Sequence, residues 1–156
     1  MKPIDLTMTA RKLATGELGR PRQSDLRRSI SSAYYSQLHC LAKTVADAMI
    51  GTNKNTRNNL AYKQIYRGLA HGQIRQNLRR QDAIKNFPPE LQLFSRTFIE
   101  MQLKRNDADY DPDQLLYRSD VLKDIEYVEN AINSFYKVKA SERKGFAAYA
   151  TSKPRR

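Results

Sequence analysis

The chain has 156 residues, with 28 Lys and Arg against 16 Asp and Glu and a formal net charge of +12; its isoelectric point is near 10.0. One Cys and two His allow no internal disulfide and make a poor set for a metal centre. No apolar run approaches the roughly 20 residues a bilayer span needs, and residues 1–5, MKPID, lack the apolar core of a signal peptide. A cytoplasmic protein without membrane segment, metal or cofactor is therefore expected.

Hydrophobic residues make up 40% of the chain, enough for a core in one domain of this length. The charge attracts polyanions, either nucleic acid or the acidic surface of a protein partner.

Residues 5–15 read as a short helix capped by Asp5 or Thr7, with Met8 and Leu13 inward. Gly16, Gly19 and Pro21, with Arg20 and Arg22, read as a turn. Residues 1–23 thus form an N-terminal helix and turn. Residues 24–50 follow as one long amphipathic helix. Leu26, Ile30, Ala33, Tyr34, Leu38, Leu41, Val45 and Ala48 recur at steps of three and four. Ser24 is placed to cap it, Asp25 to meet its dipole and Gly51 to stop it. Arg28, Ser32, Tyr35 and His39 fall within an arc of roughly 60° on the opposite face. Two rings on that stripe predict that the helix is covered there too, by a second subunit or a ligand.

A polar loop over 51–59 leads to a second helix capped by Asn55 or Thr56, with Leu60, Ile65 and Leu69 inward and an end at His71-Gly72. A resumption over 73–81 has Ile74 and Leu78 inward. From 63 to 85 the bases Lys63, Arg67, Arg75, Arg79, Arg80 and Lys85 meet one acid, Asp82, which predicts a polyanion surface. Pro88 and Pro89 open a third helix, where Leu91, Phe94, Phe98 and Met101 step by three, four and three. The next inward position is Arg105. A guanidinium there stays charged and must find partners, and Asp107, Asp109 and Asp111 are near. Asp111, Pro112 and Gln114 read as the start of a fourth helix, with Leu115, Val121, Ile125, Val128, Ile132 and Phe135 inward to about residue 138. Residues 139–156 read as a flexible basic tail, whose Phe146 and Tyr149 could dock on a partner or stack on a base. The expected fold class is all-α: an antiparallel four-helix bundle over residues 24–138.

Residues 27–39, RRSISSAYYSQLH, resemble the first long helix of HEPN domains in the group carrying an RR…AYY…H signature. Residues 105–112, RNDADYDP, are similar to that group's R-x-x-A-D-Y segment, and residues 67–72, RGLAHG, to its middle helix. The resemblance spans residues 24–138. It implies a helical bundle that forms a homodimer, often through the arginine-bearing helices. It also implies a metal-independent endoribonuclease of a toxin–antitoxin or defence system, or a non-catalytic RNA-binding relative. By position Arg105 and Asn106 match the start of the ribonuclease motif. The motif's histidine is missing, and Asp109 and Tyr110 stand near its place.

Attack by a ribose 2′-hydroxyl needs a base active near neutrality and a cation on the phosphate. Arg105 is the candidate cation. Asp109 is a weak base, weakened further by an adjacent arginine. His39 and His71 are the side chains whose ordinary titration lies near pH 7, so either is the candidate base if the fold brings it to Arg105. His71 is expected to share a helical face with Arg67. RNA contacts are assigned to Arg28, Tyr35, Lys63, Arg67, Arg75, Arg79 and Arg80. Two other readings stay open: Arg105 as a structural ion pair with Asp109 or Asp111, and the chain as an antitoxin-like subunit binding an acidic partner protein.

Overall fold

The computed structural model describes residues 1–16 and 19–155 and is all-α, with no strand among those residues. Its helices are α1 (Asp5–Thr15), α2 (Gln23–Ile50), α3 (Asn59–Arg67), α4 (His71–Leu78), α5 (Gln81–Ile84), α6 (Pro89–Tyr110), α7 (Arg118–Lys137) and α8 (Ala140–Thr151). The turn expected over 16–22 includes residues 17 and 18, which lie outside the described residues. No described helix is long and apolar enough to cross a membrane.

Helix α2 is the hub, packed against α1, α3, α6, α7 and α8. Asp25 accepts a hydrogen bond from the Arg22 backbone N–H at 3.1 Å, so the helix starts one residue earlier than expected and Ser24 is not its cap. It ends at Gly51, whose φ of +110° is a conformation glycine adopts without a side-chain clash. Its buried residues extend beyond one stripe and include Ser29, Ser31, Ser36, Gln37, Cys40 and Thr44. Small side chains let neighbours approach closely. Helix α1 faces it with Thr7, Ala10 and Ala14, and Ser29 donates to the Ala10 carbonyl. Met8, expected inward, is exposed. Cys40 is fully buried, and burial pushes its thiol up to about 12.

Helices α6 and α7 complete the core with Leu91, Phe94, Phe98 and Met101 from one and Val121, Ile125, Val128, Ile132 and Phe135 from the other, all buried as the spacing predicts. The Phe94 and Phe135 rings lie 4.7 Å apart. The start of α7 corrects the sequence reading. Asp111 is the C-cap of α6 rather than an N-cap, residues 111–117 connect the helices, and Leu115 is exposed.

Arg27 explains how that connection is held. Its Nη1 donates to the carbonyls of Ala108 and Asp111 at 2.8 and 2.7 Å, and its Nη2 to those of Pro112 and Gln114 at 3.3 and 2.7 Å. A single guanidinium from α2 thus satisfies carbonyls at the end of α6 and in the turn beyond, which have no helical partner.

Two further corrections concern the middle and the end of the chain. Asn58, not Asn55 or Thr56, caps α3 through its side chain, and Leu60 is exposed. His71 opens α4 rather than closing α3, so it does not share a helix with Arg67. Residues 140–151, expected to belong to a flexible basic tail, are helix. Phe146 is fully buried, with its ring 5.3 Å from Phe87 and 5.9 Å from Phe94. The buried Asn77 of α4 donates to the carbonyls of Tyr149, Ala150 and Ser152 at the end of α8, and Tyr149 returns a bond to the Asn77 carbonyl. Phe146 therefore belongs to the core, and the half-buried Tyr149 packs against it.

Candidate functional site

Arg105 continues the buried stripe of α6, and its side chain is only 15% exposed. Nη2 donates to the Tyr35 hydroxyl at 3.0 Å and Nη1 to Asn106 Oδ1 at 3.0 Å. Nε lies 3.0 Å from Asp109 Oδ2, an ion pair without hydrogen-bond alignment, so the Nε proton has no acceptor. Asp109 is fixed from the other side by Ser31 of α2, whose hydroxyl donates to Oδ1 at 2.6 Å. The guanidinium carbon sits 5.5 Å from the ring centres of Tyr34 and Tyr35 and 5.9 Å from that of Tyr110. Burial opposes the charge, but the Tyr35 hydroxyl and Asp109 outweigh it and hold the group above its ordinary range. Of the three nearby aspartates only Asp109 pairs with Arg105.

The two histidines are each tied to a tyrosine. His71 Nδ1 is 2.9 Å from the Tyr34 hydroxyl, and the His71 carbonyl accepts from Gln102 Nε2 at 3.2 Å. His39 Nδ1 is 2.5 Å from the Tyr66 hydroxyl. Burial pushes both imidazoles below their ordinary value, and the Arg105 charge adds to the effect on His71. Both rings are therefore neutral at pH 7, which suits a base and not an acid. Burial raises the Tyr34 hydroxyl, so it too is neutral.

The two histidines meet at one cleft of about 260 Å³, lined by Tyr35, Leu38, His39, Ala42, Tyr66, Arg67, Leu69 and His71, with Arg105 and Asp109 outside its lining. Tyr35 joins the halves: its hydroxyl holds Arg105, and its ring faces His71 edge-on at 6.3 Å. Part of the cover expected over Tyr35 and His39 comes from the same chain, from Arg105 of α6 and Tyr66 of α3. Chemically the cleft offers neutral imidazoles and tyrosine side chains, with the Arg105 guanidinium held behind Tyr35. No group of three or more His, Cys, Asp or Glu among the described residues could hold a metal.

The fold thus gathers Arg105, Asn106, Asp109 and Tyr110 at the end of α6 and links them through Tyr34 and Tyr35 to His71, with His39 in the same cleft. Tyr110 points outward, 74% exposed. Lys63 and Arg67 line a second groove along α3. Arg28, Arg75, Arg79 and Arg80 line neither; Arg75 is half-buried, and Arg80 lies 3.6 Å from Asp82. Ser31, Tyr34 and Tyr66 were not singled out from sequence as site residues. Tyr66 carried one usable sign, its i, i+4 spacing from Tyr62 on one helix face.

A pH effect follows from the histidines. Because the folded state holds them below about 6.5, the unfolded chain takes up protons first as pH falls. Stability from these two groups is complete above that value and is lost below it. The thermal midpoint is expected to fall between pH 7 and 5, and to fall less in the His39→Asn/His71→Asn double variant, which keeps an acceptor for each tyrosine but does not titrate. An unchanged slope in that variant would remove the histidines as the cause.

Comparison of the chain with family models, curated proteins and solved structures returns no match.

Proposed function

We propose that the chain is a HEPN-like protein that engages RNA and acts as a homodimer in a toxin–antitoxin or defence setting. Its four-helix bundle would be α2, the α3–α4 segment, α6 and α7. One observation carries this reading: an inward arginine held by Tyr35 and Asp109 and linked through Tyr34 and Tyr35 to a neutral His71, in a molecule of net charge +12. A guanidinium is suited to phosphate oxygens, and Arg105 reaches the cleft through Tyr35, which lines it. Leu103 and Tyr110, seven residues apart on α6, expose apolar surface where a second copy would meet this one.

The geometry favours binding over unaided cleavage. Asp109 is committed to Arg105 and Ser31, and each histidine has its Nδ1 edge committed to a tyrosine. A cleavage step would have to run through His71 or His39 as base, with Arg105 on the phosphate.

Two measurements test this. RNA affinity is expected to drop steeply, about 50-fold between roughly 50 and 200 mM salt if about four phosphates are neutralised on a single strand. Absence of binding at low salt would end the RNA reading. Any cleavage is expected to survive EDTA and to vanish in Arg105→Ala, with circular dichroism showing the fold intact. Equal cleavage by that variant would exclude the site. Binding of polyglutamate as tightly as RNA would favour the rival reading, an antitoxin-like subunit for an acidic protein.

A further inference from the structure

Helix α3 buries none of its residues fully. Beside it runs a groove of about 640 Å³ whose lining includes four cations, Lys54, Arg57, Lys63 and Arg67, and no carboxylate. Asp47, which meets the groove at Tyr62, is occupied by Lys43 at 2.5 Å and by the Tyr62 hydroxyl at 2.8 Å. A patch kept for solubility alone would interleave both signs.

Planar groups run along the same groove. The Arg57 guanidinium lies 3.4 Å over the centre of the Tyr62 ring. Its orientation is fixed by Asn59 Oδ1 at 3.0 Å and the Thr52 carbonyl at 3.4 Å. Tyr62 stacks with Tyr66 at 6.1 Å and 29°, and Tyr66 leads to His39 at 5.4 Å. Flat platforms in sequence suit flat bases, and cations between them suit the phosphates that join those bases. Bases in a duplex are already stacked and paired, so only an unpaired strand can use such platforms.

The groove does not stop at α3. Tyr66 and Arg67 line it and also line the cleft that holds His39 and His71. We infer that the α3 groove is a track for single-stranded RNA, with phosphates on Lys54, Lys63 and Arg67 and bases stacked on Arg57 and Tyr66, which leads the strand into the histidine cleft. This rests on the RNA reading above and adds the strandedness of the ligand and its path.

The test is fluorescence anisotropy with an unstructured oligouridine and a duplex RNA of equal length. The single strand is expected to bind more tightly. Lys63→Ala/Arg67→Ala should weaken it about tenfold or more and flatten the log–log salt slope by about 1.4, or about 0.7 for each phosphate no longer neutralised. Tyr66→Leu should weaken it about fivefold to 100-fold with the slope unchanged. Tyr66→Phe, which keeps the ring and loses the hydroxyl on His39, should lose much less affinity than Tyr66→Leu. Arg96→Ala, exposed on α6 and outside both the groove and the cleft, should have no effect. Parent-like binding by the Lys63/Arg67 and Tyr66→Leu variants would overturn the track while leaving RNA binding standing. Equal affinity for the duplex would overturn single-strand selectivity. Failure of the parent protein to bind either RNA would remove both this inference and the reading beneath it.

Discussion

Replacing Phe146 with alanine is expected to lower the unfolding free energy by about 3–5 kcal/mol, the range for deleting a buried phenyl ring. The ring is fully buried and lies against Phe87, Phe94 and Phe135. Its removal leaves a void among other rigid aromatics, which cannot close it without moving α6 and α7. The same change in a basic tail would alter nothing, so urea denaturation distinguishes a docked helix from an appendage. A midpoint shift near zero would mean that α8 is not part of the core.

Arg27→Ala is the second large effect, expected at about 1.5–3 kcal/mol, the range for hydrogen bonds to a charged group, because partly buried and exposed carbonyls together lose a charged donor. Four carbonyls depend on that one guanidinium, and Ala108 adjoins the aspartate that pairs with Arg105. Faster amide exchange over residues 108–117 is expected to accompany the loss. Arg27→Lys should recover only part of it, since an ammonium cannot span the same fan of acceptors. Full recovery by lysine would reduce the contact to charge alone.

The long helices were legible because their periods are long and their cores bulky. The spacing of Leu26, Ile30, Tyr34, Leu38 and Leu41 could only be one helix. Counting on from Met101 put Arg105 inward, where the structure has it. Helix α8 was missed because its inner face is Phe146, Ala147 and Ala150, and two alanines among Lys, Arg and Gly give little hydropathy signal. The Asp111-Pro112 pair carried two meanings. It resembles a helix start, yet proline also drives the preceding residue out of helical conformation, and here it ends α6. His71 followed the same pattern, since His before Gly reads as a helix end, whereas Ala70 has already turned extended and begins α4. The tyrosine–histidine pairs were beyond any local reading. Tyr34 and His71 are 37 residues apart, and only the packing of α4 against α6 and α8 brings them together.

The placement of Arg27, Ser31, Tyr34, Tyr35 and His39 on α2 has a consequence for how this molecule loses its shape. The helix that carries most of the cleft's supports is also the one nearly every other element leans on. Opening the cleft by melting that helix and dissolving the whole protein are then a single cooperative event, with no half-way state in which the side chains around Arg105 and the histidines relax alone.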